Sequence, residues 1–307
     1  MAGGRIGKAA AMMRRVWLAS YPKSGNTWVR MLLGALAAGP EAPLDINDPP
    51  TRWGIASGRE SFELETLLDS DLFTHEEVDR LRPRIFEQMA RDDRAASGPA
   101  PRFAKTHDAY LPTLDGEPLL AGARGADGAI LVLRDPRAVA PSLANHLGVA
   151  IDEAIRHMSD EAFCFSSGVD RRPPQFRQRL SSWSGHAASW LDQTDLPVLA
   201  LRYEDLSADP CAALRGILDF AGWRASPEEI ARAVARASFS ELQRQERESG
   251  FREAPRERDR KFFRRGRPDA WREELTRAQI AQVEREHAAM MRRLGYEFHD
   301  PRAGANG

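Results

Sequence analysis

Residues 16–38 narrow the options of this chain more than any other stretch. An apolar run, Val16–Ser20, stops at Tyr21-Pro22, and Lys23-Ser24-Gly25 makes a short turn. From Thr27 to Ala38, Val29, Leu32, Leu33 and Leu36 then recur at helical spacing, with Asn26 or Thr27 available as N-cap. The same strand-then-helix order returns downstream. "RFAKTHDAY" reads as a strand ending in a loop. Ala129–Leu133 reads as a buried strand, followed by helix from about Arg137 to His146. Val198–Tyr203 reads as a strand, followed by helices at about 210–221, 227–235 and 239–246. Apolar strands alternating with helices imply a central parallel sheet flanked by helices, hence an α/β fold.

The remaining segments fill in around that frame. Residues 39–60 are rich in turn formers and read as a loop. Thr74 and Glu77 have capping-box spacing and start a helix that runs to about Arg91. A long helix is predicted over Gln178–Leu191, and a final amphipathic one over residues 277–294. Residues 247–269 are polar and without period. With 307 residues, no internal repeat and no long linker, one domain over residues 16–300 is expected, between flexible tails at 1–15 and 301–307.

Charge and cysteine content exclude several function classes. Forty-four basic residues against 45 acidic ones leave a net charge of −1, which argues against a dedicated nucleic-acid binder. No run approaches the roughly 18 apolar residues of a membrane span. Cys164 and Cys211 lie in unrelated contexts without metal-ligand spacing, so no metal site and a reduced, cytoplasmic setting are expected. Only four basic residues are lysine: Lys8, Lys23, Lys105 and Lys261. Where Arg serves as the general surface cation, a retained Lys hints at a role needing an ammonium that can release a proton.

In open α/β sheets, ligands bind beyond the carboxyl ends of the strands. Four polar stretches end strands there: "SYPKSG", "KTHD", "LRDP" and "RYEDL". In the first, a loop running into a helix gathers unpaired N–H groups and the positive end of the helix dipole. Gly25 permits close backbone approach. Lys23 supplies a mobile charge, and Ser24 and Thr27 supply hydroxyls. A phosphate or sulfate group is the natural guest, against the plainer reading of an ordinary turn with a surface Lys. The Walker pattern GxxxxGK[ST] is absent, although the architecture is related.

"YPKSGNTW" resembles the signature loop of the cytosolic-type sulfotransferases, Tyr-Pro-Lys-Ser-Gly-Thr-Thr-Trp, with Asn26 as the one departure. That family uses 3′-phosphoadenosine 5′-phosphosulfate (PAPS) and releases 3′-phosphoadenosine 5′-phosphate (PAP). The resemblance implies a P-loop-like nucleotide-binding core in which Lys23, Ser24, Gly25, Asn26, Thr27 and Trp28 hold the cofactor. The other motifs follow in the family's order from about residue 16 to 276. Arg134 and Ser142, eight residues apart, resemble the 3′-phosphate motif, with Asp135 in place of the family's Asn. Lys105 and His107 resemble the Lys-Thr-His segment that holds the catalytic base. Tyr203 matches the family's Tyr-Glu-Asp strand end and Phe239 a segment that stacks on adenine. Ala237 replaces a family Thr two residues before that Phe. "KFFRRG" resembles the C-terminal Phe-x-Arg-Lys-Gly motif and assigns Phe263, Arg264, Arg265 and Gly266 to the nucleotide, with Trp271 at the spacing of the family's next Trp. Taken alone, each aromatic reads equally well as core packing, and the Arg-rich stretch as a solvated loop.

The chemistry so implied is in-line sulfuryl transfer, without metal, to a hydroxyl or amine of a small-molecule acceptor. His107 is the expected base, Lys23 acts on the leaving oxygen, Lys105 neutralises the sulfuryl oxygens, and Ser142 engages the 3′-phosphate and Lys23. Trp53, Phe62, Phe163 and Phe165 are expected around the acceptor. The Arg- and Ala-rich composition fits a GC-rich bacterial genome. The family's C-terminal dimer motif is largely absent: Arg272 and Thr276 fit it, Arg277 and Ala281 do not. A P-loop-type kinase and a non-catalytic nucleotide-binding protein are the alternatives.

Overall fold

A computed structural model describes residues 12–39, 42–48, 54–96, 98–166, 174–254 and 261–299. Its centre is a four-stranded, all-parallel sheet of β1 (Arg15–Ser20), β2 (Arg102–Thr106), β3 (Gly128–Leu133) and β6 (Val198–Arg202), in the order β2-β1-β3-β6. β1 and β3 are buried at every residue, as strands covered on both faces must be. Successive side chains point to opposite faces, so one apolar run feeds two cores. Val16, Leu18, Ile130 and Val132 face a layer of α1 (Asn26–Ala37), α9 (Pro210–Ala221) and α10 (Pro227–Arg236). Trp17, Ala19, Ala129 and Leu131 face α3 (His75–Ala95), α5 (Pro136–Leu147), α6 (Ile151–Ser159), α7 (Trp183–Asp192), α13 (Arg277–Glu286) and α14 (Ala288–Arg293). Shorter pieces complete the described chain: α2 (Arg59–Thr66), α4 (Gly122–Gly125), the hairpin β4 (Cys164–Phe165) and β5 (Gln178–Arg179), α8 (Tyr203–Ala208), α11 (Phe239–Ser249) and α12 (Trp271–Glu274).

From β1 the chain moves to β2 on one side and returns to β3 on the other. The crevice at the carboxyl ends of β1 and β3 is therefore the topological switch point.

Four local readings change. The N-cap of α1 is Gly25, at φ 107°; neither Asn26 nor Thr27 caps the helix, since both already lie inside it. The helix predicted over Gln178–Leu191 is a strand followed by a helix. Arg179 donates its N–H to Asp108 and accepts from the N–H of Ala109, while the Ser182 hydroxyl starts α7 by accepting from Gly185 N–H. The final helix of 277–294 breaks at His287, whose ring pairs with the Ser184 hydroxyl at 2.9 Å. Tyr203 begins α8 instead of ending β6. The Thr74–Glu77 capping box is present in both directions. Residues 1–11 and 300–307 of the predicted tails lie outside the described residues, whereas Met13 and Arg15 are built in: Met13 N–H donates to Ala221, and Arg15 pairs with Asp93 at 2.8 Å. No helix among the described residues is long and apolar enough to cross a membrane.

One buried ion pair ties the sheet's edge to α3. Arg82 donates to Asp108 at 2.6 Å, and both side chains are inaccessible. Removing one partner strands the other charge in the interior. Arg82→Met is expected to lower unfolding free energy by about 3–5 kcal/mol, read by urea unfolding.

Candidate active site

The turn after β1 is shaped by two left-handed residues, Lys23 at φ 70° and Gly25 at φ 107°. A Cβ on Gly25 would sit 2.6 Å from the Tyr203 ring, so only Gly fits there. Asn26 is 4% exposed, and its Nδ2 donates to the Leu18 carbonyl (2.9 Å) and to the Ser20 hydroxyl (3.2 Å). The side chain thus fastens the first turn of α1 to the end of β1. The first N–H groups of α1 then stand beside a cavity of about 760 Å³ at the switch point.

All but one of the sequence-predicted residues line that cavity. Lys23, Gly25, Asn26, Thr27 and Trp28 come from the loop and α1, and Lys105 and His107 from the end of β2. Arg134 and Ser142 come from the end of β3 and α5, and Tyr203 from the start of α8, just after β6. Phe239 and the segment Phe263–Gly266 close the far side. Ser24 is the exception: it is buried away from the cavity, and its hydroxyl has no hydrogen-bond partner among the described residues. A Cβ on Gly266 would lie 2.7 Å from the Phe239 ring, so this glycine also permits a close approach, and its carbonyl accepts from the Tyr203 hydroxyl at 3.0 Å. Trp28 lies 5.7 Å from Tyr203, with its indole N–H on the carbonyl of Ala237. Of the aromatics expected around an acceptor, Phe165 lines the cavity. Phe62 packs instead against Phe176 and Phe73, and Phe163 stacks on His157 at 4.6 Å. Trp53 lies outside the described residues.

The two lysines here are partly shielded from water. Burial, reinforced by Lys105, brings the Lys23 ammonium down to about 7; Arg134 and Arg264 act in the same direction. Burial also lowers Lys105. His107 is held well below its ordinary value by burial, then by Lys105 and His186, so its ring is neutral near pH 7. Its Nδ1 lies 2.8 Å from the Ser20 carbonyl, an acceptor only. The Nδ1–H tautomer follows, leaving Nε2 free to take a proton.

Asp135, which replaces an Asn beside the predicted phosphate site, turns away from it. It caps α5 by accepting from Arg137 N–H and holds the Arg137 guanidinium at 2.6 Å, with Glu284 on the other side at 2.6 Å. Its charge is thus met locally, and Arg134 donates to the Lys23 carbonyl and lies over the Tyr203 ring. Sequence reading missed Glu253, which bonds Arg30 at 2.6 Å and falls in the aperiodic stretch 247–269 outside any motif. Phe262, the leading Phe of the C-terminal motif, was not assigned to the nucleotide, yet it lines the cavity with its ring 3.7 Å from the Lys23 ammonium.

Parallel strands, a glycine-capped helix N-terminus and converging cations at the switch point define an α/β protein that binds a polyanionic nucleotide. Comparison with known proteins narrows this class. The Sulfotransferase domain family matches residues 13–295, and the chain belongs to it. Flavonol 3-sulfotransferase of Flaveria bidentis is 23% identical over 284 residues, covering 88% of this chain and 79% of that protein. Sulfotransferase 1A1 of Bos taurus is 25% identical, covering 89% and 82%. Among solved structures, mouse sulfotransferase SULT7A1 complexed with PAP aligns with a TM-score of 0.54 at 20% identity over 91% of this chain and 84% of that one. Retinol dehydratase in complex with retinol and PAP aligns with 0.57 at 19% over 92% and 82%. The chain is a PAPS-dependent sulfotransferase.

Substituting Gly25 combines strained φ with a clash on Tyr203. Gly25→Ala is expected to cost about 1–3 kcal/mol in chemical denaturation, more than Gly39→Ala, which meets no neighbour.

Proposed function

We propose that His107, Lys23, Lys105 and Ser142 carry sulfuryl transfer from PAPS to a hydroxyl or amine of a small-molecule acceptor, by in-line displacement. The observation that supports this most is the meeting of two half-buried lysines and a neutral histidine at the N-terminus of α1. His107 takes the acceptor proton on Nε2. Lys23 neutralises the leaving phosphate oxygen and can hand it a proton. Lys105 sets its charge against the sulfuryl oxygens. Ser142, with Arg134, Arg264 and Arg265, holds the 3′-phosphate, and α1 N–H groups and Thr27 hold the 5′-phosphate. Gly25 and Gly266 let the Tyr203 and Phe239 rings pack directly on the backbone, and with Trp28 these rings offer the adenine aromatic edges and faces. Phe165, Ile55 and Phe103 line the cavity and favour an acceptor with an apolar body. Retinol dehydratase, which shares this fold, has been solved with retinol and with androsterone, both ligands of that kind.

Isothermal titration with PAP and with ATP–magnesium separates this reading from a P-loop kinase: PAP binds and ATP does not compete. Transfer from PAPS to an acceptor panel, followed by mass spectrometry, separates it from a non-catalytic binder. His107→Ala is expected to reduce kcat by about 10²–10⁴-fold with PAP affinity retained. Near-normal turnover would remove His107 from the base role.

The lowered Lys23 value carries a pH dependence. Below about 7 the ammonium is charged and attracts the anion; as pH rises through about 7 it loses its proton. PAP affinity is therefore expected to fall with rising pH, by up to about tenfold per unit above the transition. Lys23→Arg should bind PAP with a flat profile through that range and turn over more slowly, since Arg keeps its proton. Calorimetry across pH, with kcat for both proteins, checks the two halves separately.

A further inference from the structure

Two carboxylates lie on groups that face the anionic ends of the nucleotide site. Glu253 bonds Arg30 at 2.6 Å and approaches the Lys105 ammonium at 3.4 Å and the Thr27 hydroxyl at 3.5 Å. At the other end of the same cavity, Glu274 bonds Arg264 at 2.6 Å and approaches Arg265 at 3.6 Å. Both glutamates line the cavity. Glu253 is held in place: Asn47 donates to the Gly250 carbonyl at 2.9 Å and accepts from the Arg252 N–H at 2.8 Å, clamping the segment that carries it. Glu274 sits on α12, whose first residue, Trp271, is packed under the Arg137 guanidinium.

Building on the nucleotide site proposed above, we propose that Glu253 and Glu274 are built-in competitors of PAPS, one at the 5′ end and one at the 3′ end. Each carboxylate offers two oxygens to cations that otherwise bind phosphate, so a phosphate entering either place has to displace it. Like charges in a confined site repel, and both anions cannot hold the same partners. A ligand with one anionic group displaces one glutamate and leaves the other in place. A nucleotide with both groups at the matching separation replaces both sets of ion pairs with its own. The pair of glutamates thereby sets a threshold that simple anions fail and a 3′,5′-bisphosphorylated nucleotide passes. This makes Glu253 and Glu274 specificity-determining residues of the nucleotide site, acting through competition instead of contact.

The test uses adenosine 5′-monophosphate and PAP as probes, titrated into the full chain and its Glu253→Gln, Glu253→Ala and Glu274→Gln variants, with thermal melts as a check on folding. Glu253→Gln is expected to tighten both nucleotides by about three- to tenfold, and Glu253→Ala to do the same. Glu274→Gln is expected to tighten PAP by a similar factor and to leave adenosine 5′-monophosphate unchanged. Unchanged or weaker PAP binding in folded Glu253 variants would overturn the proposal and make Glu253 a positioning partner for Lys105 and Arg30. Equal tightening of both probes by Glu274→Gln would overturn the 3′ assignment. Absence of PAP binding by the unaltered chain would instead sink the nucleotide reading itself, an outcome distinct from either.

Discussion

β1 is covered on both faces, and at its end the backbone turns through Gly25 with the Tyr203 ring pressed against it. That contact joins the end of β1 to the end of β6 across β3 and sets where the N-terminus of α1 points. The Asn26 amide holds the same turn from inside, through Leu18 and Ser20. His107 bonds the backbone carbonyl of that same Ser20. The position of the base, the direction of the helix dipole and the orientation of Lys23 therefore depend on one short, tightly packed junction. A side chain at 25, or a longer loop, would move all three together.

The site concentrates positive charge in a place with little water. Burial already brings Lys23 down to about 7, and neighbouring cations push in the same direction. Such a cluster is unfavourable unless anions are near. The chain supplies them internally. Asp135 is matched to Arg137 and so is taken out of the site's balance. Glu253 and Glu274 stay in it, against the cations that face the cavity. The same cations that bind the nucleotide thus shape the unliganded charge pattern, and this links affinity, pH response and selectivity in one set of residues.

Much of the fold could be read directly. β1 and β3 are apolar enough to be recognised alone, and the Thr74–Glu77 spacing marks a helix start that the structure keeps. The readings that changed share a cause: a tertiary partner outweighed local preference. Gln178 and Arg179 look helical by spacing, but Cys164 and Phe165 pair with them as an antiparallel strand, and the Asp108 carboxylate and Ala109 N–H take up the remaining backbone groups of Arg179. Asn26 looks like a cap, but the buried end of β1 claims its amide. Phe62 looks like part of a ligand pocket, but Phe176 and Phe73 enclose it. Ser24 belongs to the motif, yet its side chain turns inward.

Taken alone, the amino-acid order determined the α/β architecture, the anion-binding loop and which residues stand at strand ends, because hydrophobic period, glycine position and loop chemistry are local properties. It also carried the family, through four motifs in their expected order. Only the tertiary structure decided that His107 is neutral with Nδ1 committed to Ser20, that Lys23 loses much of its basicity, and that Asp135 leaves the phosphate site. It alone brought Glu253, Glu274 and Phe262 to the cavity. These outcomes depend on burial and on charges and carbonyls that the fold brings together from separate segments, and no spacing along the chain encodes the distance between them.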